Sequence, residues 1–321
     1  MFLKNSVVLI TGGAGAIGIN LVENLLSQDI KKIVILDNLS SGRLDFIPKN
    51  NKIKFYSIDI FRKDELESVF NKYSFDYIFH LAAHFANQNS VDHPLSDIQT
   101  NIIGTMNLLE LSKSQKSLKK FIYASSSCVY GDNEIMNEND YIYPYETPYA
   151  INKYTAEIYT KYYSHLFKVP TISIRIFNTY GPYETAGDYR NVIPKFIENA
   201  LLNKDITITG DGTETRDFTY CSDTIELIIK AALSTKKDGS FFNAGTGKET
   251  QIIELAKLII QISKSSSKII YEPRREWDLV LKRVSNINKS KSELKYEPKT
   301  SLENGLNKYI TWYKSYLKVK H

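Results

Sequence analysis

Val7-Val8-Leu9-Ile10-Thr11-Gly12-Gly13-Ala14-Gly15-Ala16-Ile17-Gly18 is the stretch whose reading decides the fold. Its first four aliphatic residues predict a buried strand over 7–10. A helix is predicted over 17–27, with Ile17, Leu21, Leu25 and Leu26 on one face. Between the two, glycines at 12, 15 and 18 form a GxxGxxG pattern. A helix N-terminus offers free N–H groups and the positive end of the helix dipole, and both favour an anion. A Cβ at the points of approach would keep a pyrophosphate off the backbone. The glycines alone are a weak signal; a strand before and a helix after make them a dinucleotide loop. Asp37 ends a second predicted strand, 19 residues past Gly18. A carboxylate there accepts bonds from both adenosine ribose hydroxyls and repels a 2′-phosphate, so NAD is expected rather than NADP.

Outward from this loop the same alternation continues. Further strands are predicted over 53–58, 76–79, 121–124 and 171–176, and helices over 98–112 and 150–167. Strands alternating with helices of this length predict an α/β fold, a Rossmann-type doubly wound parallel sheet with helices on both faces. After residue 177 the rhythm changes to loops rich in Gly, Pro, Tyr and Asn, then short mixed elements and an amphipathic helix over 301–318. Residues 1–177 are therefore read as the cofactor domain. Residues 178–321 are read as a smaller α/β substrate domain, with some chain returning to the first sheet.

The 321 residues are 42% hydrophobic and 24% charged, which supports a large folded core rather than disorder. The formal charge of +5 is mild and no long basic block occurs, so no nucleic-acid partner is expected. Two cysteines, Cys128 and Cys221, are too few for a disulfide framework or a cysteine zinc site. The five histidines include no HExxH, and no metal is expected. No apolar run is long enough for a membrane span and the N-terminus lacks a signal-peptide pattern, so the expected compartment is the cytosol.

Tyr149-Ala150-Ile151-Asn152-Lys153 places a phenol and an amine at i and i+4 of a helix, on one face. An ammonium near a phenol stabilises the phenolate, which makes Tyr149 a candidate acid/base for a hydroxyl being oxidised. Among 22 tyrosines such a spacing arises by chance. Ala124-Ser125-Ser126-Ser127 strengthens it, since a serine hydroxyl after the fifth strand lies at the ligand-binding end of such a sheet. Ala82 and Ala83 are small enough to let a cofactor cross the sheet edge. Asp59, at the end of the third strand, reads equally as an adenine contact or a strand-end turn.

The chain resembles the extended short-chain dehydrogenases/reductases of the nucleotide-sugar epimerase/dehydratase group. The resemblance rests on the glycine loop, YxxxK, His80-Leu81-Ala82-Ala83, Asn101-Ile102-Ile103-Gly104-Thr105, Val129-Tyr130-Gly131, Arg175-Ile176-Phe177-Asn178 and Arg216-Asp217-Phe218. It implies Tyr149 as acid/base, Lys153 as its partner on the nicotinamide ribose, and Ser126 as the catalytic hydroxyl. Implied NAD contacts are Gly12, Gly15, Ala16, Ile17, Asp37, Asn38, Asp59, Ile60, Leu81, Ala82, Ala83, Asn101, Ser125, Tyr149 and Lys153. For a nucleotide-diphosphate sugar it implies Asn178 and Asn191, with Ser126 and Tyr149 at the sugar. Arg216 and Arg275 would grip the diphosphate, although Arg274 is an adjacent competitor, and Asp278 would meet the nucleotide ribose. Ser90, at the end of the amide-rich run 84–90, is the one residue of that run taken as a sugar contact. The group pairs through helices matching 98–112 and 149–167, which implies a homodimer.

Dehydratases of this group resemble one another in carrying Asp-Glu directly after the catalytic Ser/Thr, and the decarboxylases carry Glu at the second place. Here Ser127 and Cys128 stand there. Neither can shuttle the proton that elimination requires, whereas a 4-epimerase needs no second acid. The resemblance thus implies a 4-epimerase, with dehydratase, decarboxylase and C4 dehydrogenase as alternatives. A non-enzymatic binding protein is disfavoured by the intact Ser126, Tyr149 and Lys153. Thr209 replaces an aromatic that stacks on uracil in many relatives, which leaves UDP, GDP, CDP and dTDP open.

Overall fold

The aliphatic runs of the first half pair side by side. The computed structural model describes residues 3–132, 135–278 and 280–320. Its first half runs β1 (Val7–Thr11), α1 (Ala16–Leu26), β2 (Lys32–Asp37), β3 (Ile53–Ser57), α2 (Lys63–Lys72), β4 (Tyr77–His80), α3 (Asn87–Asp92) and α4 (Pro94–Ile98). A π-helical turn (Gln99–Gly104) follows, then α5 (Thr105–Ser112), β5 (Lys120–Ser126), β6 (Ile135–Met136), α6 (Pro148–Phe167) and β7 (Thr171–Ile176). The second half runs β8 (Thr179–Tyr180), α7 (Val192–Leu201), β9 (Ile206–Thr209), β10 (Thr215–Arg216), β11 (Thr219–Tyr220), α8 (Cys221–Leu233) and β12 (Ser240–Ala244). It closes with β13 (Thr250–Gln251), α9 (Ile252–Ser263), β14 (Ile269–Glu272), β15 (Lys282–Ser285), α10 (Asn288–Leu294) and α11 (Leu302–Lys320).

Seven strands form one sheet in the order β12-β7-β5-β4-β1-β2-β3, every pair parallel. Helices cover both faces, so strand residues alternate between two cores. Val8, Ile10, Ile33 and Ile35 face α1 and α8, while Leu9, Val34 and Leu36 face α2, α5 and α6. The strand order reverses between β1 and β4, which opens a crevice at their carboxyl ends. The second half supplies β12 and α8 to this layer. A separate core joins α7, β9, α9 and α11, where Leu306, Tyr309, Ile310 and Tyr313 are buried. A small sheet, β13-β10-β15-β6, lies at the border of the two halves and includes β6 from the first.

Three local features differ from expectation. β5 continues through Ser126, so two of the serines end the strand rather than follow it. α6 begins at Pro148, where a fixed φ suits the first helical position, and Thr147 caps it by accepting from Ala150 N–H at 3.3 Å. The helix expected over 98–112 begins at Pro94 and carries the π turn, where Gly104 lets Ile60 approach the backbone. Among the described residues no helix is long and apolar enough to cross a membrane.

Candidate active site

A cavity of about 580 Å³ opens at the carboxyl ends of β1, β2, β4 and β5. Gly12, with φ +69°, turns the chain out of β1, and a Cβ there would lie 2.6 Å from Ala82 N. This glycine is therefore demanded by its own turn and by the neighbouring chain, a reason distinct from the expected approach of a phosphate. Gly15 lines the cavity as the N-cap of α1, and no side chain caps that helix, so its first N–H groups are left for a ligand. Ala16, Ile17, Ile60, Leu81, Ala82 and Ala83 also line it.

Asp37 sits at the rim with its carboxylate fixed, Oδ2 accepting from Ala14 N–H at 2.9 Å and Oδ1 from Leu39 N–H at 2.8 Å. Burial raises its pKa and those two N–H groups pull it down. Asn38 donates to Asp59 Oδ2 at 2.8 Å, and Asp59 Oδ1 accepts from Phe61 N–H at 3.4 Å. Asp59 thus makes its strand-end turn and lines the cavity as well. Ser125 Oγ, buried on the cavity wall, has no hydrogen-bond partner among the described residues. The uncapped helix, the rim carboxylate and this orphan hydroxyl fit a dinucleotide.

Ser126, Tyr149 and Lys153 converge on the inner end of the cavity. Burial pushes the Tyr149 phenol well up, the charges of Cys128 and Asp97 add to this, and the Ser126 hydroxyl pulls the other way. Burial pushes Lys153 down to about 7, against the pull of Asp97 and Glu157. Its ammonium lies 4.4 Å from the Tyr123 ring centroid. Burial, rather than the expected help of Lys153, thus dominates the phenol here.

Two of the expected ligand contacts sit behind the cavity wall. Ser90 is fully buried and faces α6: its hydroxyl accepts from Tyr149 N–H at 3.0 Å and donates to Asn87 O at 2.7 Å. Asn101 is also buried behind the cavity wall. It accepts from His84 N–H at 3.1 Å and donates to Asp97 Oδ2 at 2.9 Å. Both position neighbours and neither lines the cavity.

A second cavity of about 380 Å³ adjoins the first, and Asn178 and Asn191 line both. Arg216, Arg275 and Asp278 meet in it. Arg216 donates to Asp278 at 3.4 Å and to Thr215 O at 2.9 Å, and burial with nearby Arg283 lowers it to about 10. Arg274 is engaged by Glu214 in an ion pair, which leaves Arg275 on the cavity wall. Two guanidinium groups in one cavity suit a diphosphate.

The structure adds residues that had no local signal. Asp97, fully buried, accepts from Asn101 and also from Asn152 Nδ2 at 2.6 Å, tying the π turn to α6. His80, fully buried, lies between Thr105 Oγ1 at 2.8 Å and Thr11 Oγ1 at 2.7 Å. Thr105 gives its own proton to Asn101 O, so it accepts from His80 Nε2–H, and Nδ1 accepts from Thr11. Thr11 Oγ1 then accepts from Ala82 N–H at 3.3 Å, and one chain of bonds fixes the cofactor edge of β4. Glu184, pushed up to about 7 by burial, lines the main cavity and accepts from Asn191 at 2.9 Å. Arg283 lines it beside Cys128.

A family model described as the NAD dependent epimerase/dehydratase family matches residues 8–245. The chain is 35% identical to a UDP-N-acetyl-alpha-D-glucosaminuronate decarboxylase of Bacillus cytotoxicus, over 95% of this chain and 97% of that one. A solved epimerase of Methanothermobacter thermautotrophicus superposes with a TM-score of 0.95 at 39% identity, covering 99% of this chain and 94% of that one. A UDP-glucose 4-epimerase of Thermotoga maritima, solved with UDP-glucose, superposes with a TM-score of 0.91 at 33% identity, covering 97% and 99%.

Proposed function

The chain belongs to the NAD dependent epimerase/dehydratase family, and from that premise we propose that it inverts C4 of a nucleotide-diphosphate sugar through a 4-keto intermediate. The observation that carries this reading is the end of β5. Ser126 lies beside Tyr149, and Ser127 and Cys128 stand where an elimination would need acids. Among the described residues the carboxylates lining the cavity are Asp37, Asp59 and Glu184, and none is on that strand end.

Bound NAD supplies a hydride acceptor and, when oxidised, a positive charge that offsets the burial penalty on a phenolate. Tyr149 takes the C4 hydroxyl proton and later returns it. The Ser126 hydroxyl bonds the reacting oxygen, and Lys153 steadies the phenolate and the nicotinamide ribose. The glycine loop and Asp37 hold the dinucleotide across 1–177. Asn178, Asn191, Arg216, Arg275 and Asp278 hold the sugar nucleotide from 178–321. Inversion requires the 4-keto sugar to turn over between loss of the C4 hydride from one face and its return to the opposite face.

The similarity to an epimerase solved with UDP-glucose makes uridine sugars the first to test. Two buried free thiols, Cys128 and Cys221, suit a reducing cytosol. The protein works as a homodimer through the exposed apolar faces of α6 and the π turn. The deciding experiment incubates the NAD-loaded protein with nucleotide sugars and follows the products by NMR. C4 inversion is expected, and release of water or CO₂ without it would overturn the reading.

A further inference from the structure

Arg283 on β15 reaches the wall of the main cavity at the Tyr149 end. It is only 8% exposed. Its Nη1 donates to Cys128 Sγ at 3.3 Å, a weak acceptor, and its Nε has no hydrogen-bond partner. Three other arginines in shielded settings have a carboxylate each: Arg175 with Glu157, Arg216 with Asp278 and Arg274 with Glu214. Arg283 makes no ion pair among the described residues. Glu146 feels its charge without pairing to it; neither Glu146 oxygen has a hydrogen-bond partner, and Glu146 does not line the cavity.

A buried guanidinium with an unsatisfied N–H and no ion-pair partner is costly and favours an incoming counter-charge, and the Arg283 side chain borders the cavity. Cys128 packs against Tyr149, so the guanidinium lies one side chain from the reacting phenol. A planar fork at that place matches a carboxylate better than it matches sugar hydroxyls. We propose that Arg283 reads a carboxylate on the sugar, so the substrate is an acidic nucleotide sugar and not a neutral hexose. This rests on the nucleotide-sugar reading above and is independent of C4 inversion. Two sugars carry the required group near C4: a hexuronate, through C6, and a hexosamine with a lactyl ether at C3.

The test measures binding to the NAD-loaded protein by calorimetry, in pairs that share a nucleotide. The pairs are UDP-glucuronate with UDP-glucose and UDP-N-acetylmuramate with UDP-N-acetylglucosamine. The uronate pair is repeated with dTDP and GDP sugars. At least about tenfold tighter binding of the acid form is expected in one pair, and which pair responds identifies the source of the carboxylate. Arg283→Gln is expected to bring that ratio within about twofold, while affinity for the neutral member moves less than about threefold; Arg283→Lys keeps part of the preference. Equal affinity, or no binding of the acid form, in every pair overturns the inference, and so does a preference that survives Arg283→Gln. If Arg283→Gln fails to fold, the wild-type ratios and Arg283→Lys decide alone. An acid sugar that binds selectively but loses CO₂ without C4 inversion would overturn the epimerase reading and leave this one standing.

Discussion

The backbone N–H of Tyr149 donates to the Ser90 hydroxyl at 3.0 Å. That N–H lies in the first turn of α6, where no intrahelical acceptor exists. α3, which carries no reacting group, therefore sets how α6 enters the site. Ser90→Ala leaves the donor buried and unpaired, at a loss of about 1–2 kcal/mol of stability. Thermal melts should show it. Turnover should fall with KM nearly unchanged, because the phenol shifts while the grip on the diphosphate stays. Unaltered kcat would show that α6 is fixed without this bond.

Tyr149→Phe removes the hydroxyl alone and keeps the buried ring. NAD content and melting temperature should match the wild type, since the ring packs with Cys128 and Phe85. Turnover should fall by about 10²- to 10⁴-fold, the usual worth of a general acid/base. A variant that still inverts C4 at the wild-type rate would remove Tyr149 from the chemistry.

The sheet and the glycine loop were legible because their signals are local. Four aliphatic residues, a glycine turn and an amphipathic helix follow one another within twenty residues of chain. Ser126, Tyr149 and Lys153 were legible as residue types with a spacing, and the cavity gathers all three. Polar residues near the site were not separable in this way. Ser90 and Asn101 read as ligand contacts from residue type and place, and no local signal reports that they bond Tyr149 and Asp97. The choice between Arg274 and Arg275 depends on Glu214, sixty residues away in the chain, and no periodicity reports such a pairing. Asp97 was invisible for the same reason, since its partners Asn101 and Asn152 lie on two different elements.

His80 predicts a pH effect. Full burial holds its pKa well below the ordinary value of 6.5, and Lys153 adds to this. Below pH 6.5 the unfolded chain takes up a proton that the folded chain refuses, so stability falls as pH drops toward the folded pKa. Above pH 6.5 both states are neutral and nothing is lost. His80→Gln, which can keep one of the two threonine bonds, should be less stable than wild type at pH 8, and the gap should narrow as pH drops through 6.5. Denaturant titrations at pH 8 and pH 5 measure it. A gap that stays constant would mean that His80 takes up its proton without unfolding.

Asp37 has both oxygens anchored by backbone N–H groups, so its charge cannot swing away from the rim. Protein stripped of cofactor should bind NAD far better than NADP, because a 2′-phosphate would meet this carboxylate. Asp37→Asn should weaken NAD by about tenfold or more, the worth of a charge-assisted bond to a ribose hydroxyl, and should improve the relative affinity for NADP. Calorimetry with both dinucleotides decides. If the wild type binds both alike, the rim carboxylate does not select the cofactor.

α6 presents Ile151, Ile158 and Tyr162 at 44%, 51% and 48% exposure on one stripe, with Leu166 beside it at 53%. On the elements packed against α6, Ile98 and Ile103 are 40% and 43% exposed. An apolar face of this extent, formed by helices that run side by side, suits burial against its own copy about a twofold axis. Ile158→Lys places a charge at the middle of the stripe without touching the buried face that carries Tyr149 and Lys153. Light scattering should give a dimer for the wild type and a monomer for the variant, while the monomer keeps its NAD. A wild type that runs as a monomer at micromolar concentration would show that this face serves something other than self-association.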